Sequence, residues 1–207
     1  PSGSGKSFLS LDLAASIAEG KSWFGRRVNS APVVYLALEG EDGIRQRTEA
    51  WVQHNGVPLP GDMQFILQPF KLSDAKDVDE LAKVLLKGCV LIIDTLSKAS
   101  STSDENTSHD MGVLTDAAQR LQVLTDGLVL LIHHTGKNES AGMRGHSSLP
   151  ATIDASIQVS RQGSLRHWTF DKVKDGADGV SEGFKLLEVE LGIDADGDPI
   201  TSCVVQR

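Results

Sequence analysis

The chain has 207 residues, 40% hydrophobic and 23% charged, with a formal net charge of −8. That balance suits a single globular domain over 1–207, and it argues against a broad basic surface for nucleic acid. No apolar run reaches the roughly 18 residues of a membrane span, no basic-then-apolar leader opens the chain, and Cys89 and Cys203 have no metal or redox spacing, so a reduced, cytoplasmic protein is expected.

The chain opens "PSGSGKSFLSLDL". Pro1 to Ser7 supply the phosphate-loop pattern G-x-x-x-x-G-K-[ST] except its first glycine, which would stand just before Pro1. The alternative is a plain Gly/Ser helix cap. From 6 to 19 apolar residues recur at helical spacing, and Gly20 ends that helix. Val33 to Leu38 reads as a short buried strand. "EDGIRQRTEAWVQHNG" follows as an amphipathic helix closed by Asn55 and Gly56. "MQFILQ" predicts a strand, "DVDELAKVLLKG" a helix stopped by Gly88, and "CVLIIDT" a third buried strand. The polar segment 97–110 predicts a loop, "DMGVLTDAAQRLQVLT" a helix, "GLVLLIHH" a fourth strand, and "TGKNESAGMRGHS" a second polar loop. After about residue 156 the texture becomes strand and turn: "ASIQVSR", "LRHWTFDKV", "GFKLLEVEL" and "PITSCVV", with turns at Asp175-Gly176 and Asp196-Gly197-Asp198. Strand–helix alternation over the first 150 residues implies an α/β fold, a parallel sheet with helices on both faces. The C-terminal strands are expected to extend that sheet in antiparallel fashion.

Several strand and helix ends carry chemistry. The backbone of Ser2, Gly3, Ser4 and Gly5 can turn its N–H groups toward phosphate oxygens, and the helix starting at Lys6 points its positive end at the same place. Lys6 would then reach the β- and γ-phosphates, and Ser7 would bind Mg²⁺. Asp94 ends an all-apolar strand, where a carboxylate faces the crevice of an α/β sheet and can hold Mg²⁺. Glu39 ends another strand and suits the base that orients the attacking water. Glu41 is the alternative base, and both, with Asp42, also suit solvated cap positions. The paired His133 and His134 end a fourth strand beside the same crevice and suggest a sensor of the γ-phosphate; no third ligand at metal spacing accompanies them.

The ordered set "SGSGKS", "YLALE", "LIIDT", "LLIHHTGK", "RGHSSLPATIDASIQVSR" and "FDKVKDGADG" resembles the RecA/DnaB superfamily of ring-forming motor ATPases. It is most similar to the RepA-type hexameric helicase ATPases of plasmids and phages. The resemblance implies a RecA-like core with ATP and Mg²⁺ as cofactors, a hexameric ring of identical subunits, and single-stranded DNA as partner in replication. It implies Glu39 as the catalytic glutamate, Asp94 as the Mg²⁺-site aspartate and His134 as the sensor, with His133 as a packing neighbour. Cations from the next subunit complete each ATP site in such rings. Where DnaB-like members place Lys-x-Arg before the turn, this chain has Lys172-Val-Lys174. Lysine cannot make the planar bidentate contact of an arginine, so either Lys174 acts as a point charge or Arg161 takes the arginine's place. Ordinary strand-edge charge is the remaining alternative for all three.

The loops 97–110 and 136–147 stand where this superfamily places channel-facing DNA loops. Their only cations are Lys98, Lys137 and Arg144, and the first also carries Asp104, Glu105 and Asp110. ATPase chemistry is thus better supported than strong DNA binding. Two rivals stay open: a RecA-like ATPase of recombination, repair or regulation that does not unwind DNA, and a nucleotide-dependent assembly module with little hydrolysis. The incomplete loop predicts that the central strand leading into it is missing. It also predicts a sheet with a gap beside the strands ending at Glu39 and Asp94, and weak ATP binding by this chain alone.

Overall fold

The structure is a computed structural model and describes residues 3–100, 108–134 and 152–207. The apolar runs "VVYLA" (β1, Val33–Ala37) and "VLIID" (β3, Val90–Asp94) are buried at every position. Only a strand covered on both faces can bury every residue. Met63–Ile66 (β2) and Leu128–Ile132 (β4) complete a parallel sheet in the order β2-β1-β3-β4. Helices α1 (Lys6–Glu19) and α2 (Glu41–Asn55) cover one face, packing on Val33, Tyr35, Ala37 and Ile92. Helices α3 (Ala75–Val84), α4 (Leu96–Ala99) and α5 (Ser108–Thr125) cover the other, over Val34, Leu36, Leu91 and Ile93.

The strand order positions the site. From β1 the chain crosses by α2 to β2 on one side; from β2 it crosses by α3 to β3, on the other side of β1. The reversal opens a crevice outside the carboxyl ends of β1 and β3, the usual ligand position in open α/β sheets. Ala37 and Asp94 are register partners there. The expected gap beside these strands is not found. β1 pairs with β2 and β3, and β3 pairs with β1 and β4, so among the described residues the edges fall at β2 and β4.

The C-terminal strands also depart from expectation. Ala155–Gln162 (β5), Leu165–Val173 (β6), Ser181–Ile193 (β7) and Pro199–Gln206 (β8) form a separate antiparallel sheet in sequential order rather than extending the parallel one. The reason is the burial pattern. Arg166, Trp168 and Phe184 are buried while much of the same strands is exposed, so this sheet needs only one covering layer. It finds that layer on α1 and α2: Val204, Val189 and Leu191 join the cluster of α1, α2, β1 and β3, and Val159, Trp168 and Phe184 pack with Leu9 of α1.

Smaller departures have local causes. The third helix begins at Ala75 because Asp74 caps it, its side chain accepting from Lys76 N at 2.9 Å. It ends at Val84, not Gly88. Leu85 is extended, and the Gly88 N–H instead donates to Thr125 O at 2.7 Å. Within the predicted loop 97–110, Leu96–Ala99 forms one helical turn and α5 starts at Ser108. Residues 101–107 and 136–147, with Lys137 and Arg144, lie outside the described residues. The stretch after α1 makes a tight hairpin. Trp23 and Arg26 exchange backbone hydrogen bonds at 2.9 Å around Phe24 and Gly25, both with positive φ, as a type I′ turn requires. This turn presents Trp23 and Phe24 to Trp168, whose ring stacks on Trp23 at 4.9 Å.

Trp168 is fully buried and ties the antiparallel sheet to that turn. Trp168→Ala is expected to cost about 3–5 kcal/mol, read as a lower urea midpoint of unfolding; a midpoint equal to the parent's would show that this cluster does not hold the sheet.

Candidate active site at the crevice of the parallel sheet

Gly5 stands before the first turn of α1 with φ +98° and offers no side chain to its N–H groups. The first turn of a helix leaves its N–H donors without intrahelical partners, and the helix dipole adds positive potential there. Gly3 also has positive φ. Lys6 is half buried, with Nζ 3.3 Å from Ser4 Oγ. Burial lowers its pKa, while the charges of Asp94 and Glu39 pull it back up. Ser2 lies outside the described residues.

Asp94 is the hub. Its carboxylate, 2% exposed, accepts from Ser7 Oγ at 3.2 Å and from Tyr35 Oη at 2.6 Å. Tyr35 Oη in turn lies 2.9 Å from Ser10 Oγ. Two residues of α1 and one each of β1 and β3 thus meet in one chain of hydrogen bonds. Burial raises the Asp94 pKa, and the hydrogen bonds from Tyr35 and Ser7 oppose it. Burial and the Asp94 charge together push the Tyr35 phenol well above its ordinary value, so it acts as a donor. Arg47 of α2 stacks over Phe8 with its guanidinium carbon 5.2 Å from the ring centre, and its charge draws Asp94 downward.

Glu39 follows β1 at the same crevice. Its Oε1 accepts from Thr95 Oγ1 at 3.1 Å and lies 3.4 Å from His134 Nε2. Glu41 is elsewhere: it begins α2 and pairs with Arg45 one turn on at 2.7 Å. Lys6, Ser7, Asp94, Glu39 and His134 therefore converge, drawn from one helix start and three strand ends. Ser7 Oγ and the Asp94 carboxylate are hard oxygen donors side by side, the donor type that Mg²⁺ takes.

Arg161, Lys172 and Lys174 bond instead to residues of the antiparallel sheet and its flanks. Arg161, next to the end of β5, donates from Nε to Gly163 O at 2.8 Å. Lys172 Nζ donates to Ile153 O at 2.7 Å, and Lys174 Nζ is 3.4 Å from Asp154 Oδ1. Lys98 sits exposed on α4. Tyr35, Ser10, Thr95 and Arg47 were not singled out from sequence. One signal existed for Tyr35: it is the only tyrosine of the chain, set in an otherwise aliphatic strand, where a buried hydroxyl needs a partner.

Tyr35→Phe leaves Asp94 buried with one donor fewer, which is expected to destabilise the fold by about 1–3 kcal/mol. Chemical denaturation checks this, and unchanged stability would mean that the carboxylate finds another donor.

Comparison with known proteins agrees with this fold. The AAA domain family matches residues 1–140. Among solved structures, the crystal structure of the RadB recombinase superposes with a TM-score of 0.63 at 12% identity, covering 90% of this chain and 84% of that one; at that identity the likeness concerns the fold. No curated protein matches the sequence. With a RecA-like α/β core, a Gly-Lys-Ser helix start facing a strand-end aspartate, and a family match over most of its length, the chain belongs to the AAA domain family.

Proposed function

We propose that this chain is a RecA-like ATPase that binds ATP with Mg²⁺ at the start of α1 and hydrolyses it, serving recombination, repair or regulation of DNA without unwinding a duplex. One observation carries the ATPase reading: Lys6 and Ser7 of the helix start meet Glu39 and Asp94, distant in sequence, at a single crevice. The fold likeness to a recombinase supports the non-unwinding role.

In this mechanism the N–H groups of the loop and first turn of α1 hold the phosphates, and the Lys6 ammonium offsets their charge. Mg²⁺ at Ser7 and Asp94 would supply further charge neutralisation. Tyr35 and Ser7 keep the Asp94 carboxylate fixed, so it needs no reorganisation during the reaction. Glu39, with Oε1 held by Thr95 and His134, takes the proton of the water that attacks the γ-phosphorus. The oxygen–phosphorus bond to ADP breaks as the new bond forms, and ADP leaves with phosphate. His134, in contact with Glu39, is placed to report whether the γ-phosphate is present.

A second reading, a ring-forming helicase on single-stranded DNA, is favoured by one feature. Lys174 is exposed just past the far end of β6, eight residues along from Arg166, which packs on Gly5; at strand spacing that is about 25 Å. A cation so placed suits a neighbouring subunit's phosphates better than its own.

Lys6→Ala is expected to abolish ATP-dependent phosphate release. Glu39→Gln should retain nucleotide binding while kcat falls about 10²–10⁴-fold. Hydrolysis by Lys6→Ala at the parent's rate would overturn the site. On forked DNA the parent should hydrolyse ATP without displacing a strand; displacement would favour the helicase. ATP-dependent oligomers in light scattering with negligible phosphate release would mark an assembly module instead.

A further inference from the structure

Arg166 plays no part in the cluster around Asp94, yet it is an unusual arginine. It is 8% exposed. Its Nη1 donates to Ser164 O at 3.2 Å, and its Nε is buried with no acceptor among the described residues. Its cross-strand register partner is a second cation, Arg161, so like charge rather than a carboxylate stands beside it. A buried guanidinium with an unmet donor is destabilising unless something compensates.

Outside the sheet, the phosphate loop lies against the Arg166 side chain. A Cβ on Gly5 would lie 3.1 Å from Arg166 Cδ, 3.2 Å from its Nε and 3.5 Å from Leu186 Cδ1. Gly5, at φ +98°, is the residue from which α1 starts. The positive end of a 14-residue helix and a buried guanidinium therefore meet at one glycine. Two positive elements in contact, with one donor unmet, need an anion from outside.

We propose that Arg166 is a phosphate-binding residue of its own chain's nucleotide site, completing from β6 the cradle formed by the loop and the start of α1, with Arg161 adding positive potential beside it. The ligand is the polyphosphate of a nucleoside di- or triphosphate. The inference rests on the phosphate-loop reading and adds a cation in the same chain, distinct from those offered to a neighbour. It also accounts for Gly5 beyond its φ, because any side chain there would push the guanidinium away.

The test uses the full chain, with fluorescent mant-ATP and mant-AMP as probes, and apo melting temperature as a second readout. Arg166→Met and Arg166→Gln remove the charge in two ways, so a folding defect peculiar to one leaves the other informative. Both are expected to weaken mant-ATP binding about tenfold or more and mant-AMP much less, with no fall in apo melting temperature. Arg166→Lys should recover part of the loss. Unchanged mant-ATP affinity in the neutral variants overturns the inference. So does equal weakening of both probes with a lowered melting temperature, the mark of a structural role. If the parent binds no mant-ATP, or Lys6→Ala binds it as the parent does, the phosphate-loop reading falls and this inference falls with it.

Discussion

The buried carboxylate of Asp94 is the constraint around which the rest of the crevice is arranged. A charge taken out of water must be met by donors, and the donors here come from separate elements. Ser7 belongs to the start of α1 and Tyr35 to the neighbouring strand β1. Meeting that one requirement pins the helix start against the sheet, and Ser10 reinforces the link through Tyr35. The free N–H groups at the start of α1 are thereby held at the mouth of the crevice between β1 and β3.

Around this hub the charges alternate. Lys6 and Arg47 bring positive charge to Asp94 and Glu39, while the start of α1 adds its dipole. Burial weighs on both signs: it lowers Lys6 and raises Asp94. A site of partly desolvated charges that only partly satisfy one another is suited to a ligand carrying several negative oxygens. The second sheet contributes as well. By packing over α1 it brings Arg166 against Gly5, so a strand remote in sequence touches the most local motif of the chain.

Much of this was legible in the residues. "VVYLA" and "VLIID" could only be covered strands, and the Gly-Lys-Ser before an apolar run marked the start of α1 without coordinates. Asp94 and Glu39 were legible because a carboxylate at the end of an apolar run has few other uses. The helix limits at Val84 and Ser108 were less so, since they depend on Asp74 as a cap and on Gly88 bonding to Thr125. The hairpin at Trp23–Arg26 also escaped, because its purpose is to meet Trp168, 145 residues later.

The sequence by itself determined the α/β class, the order of elements and the identity of the groups at the crevice, because those follow from local periodicity and from which residues can end a buried strand. Tertiary structure alone decided the partners. It chose Glu39 over Glu41 for the crevice by pairing Glu41 with Arg45, gave Asp94 its tyrosine, separated the antiparallel strands into a sheet of their own, and set Arg166 on Gly5. The physical reason is common to all four. Each is a contact between residues distant in the chain, made when a one-sided layer or a buried polar group seeks the cover that local sequence does not provide.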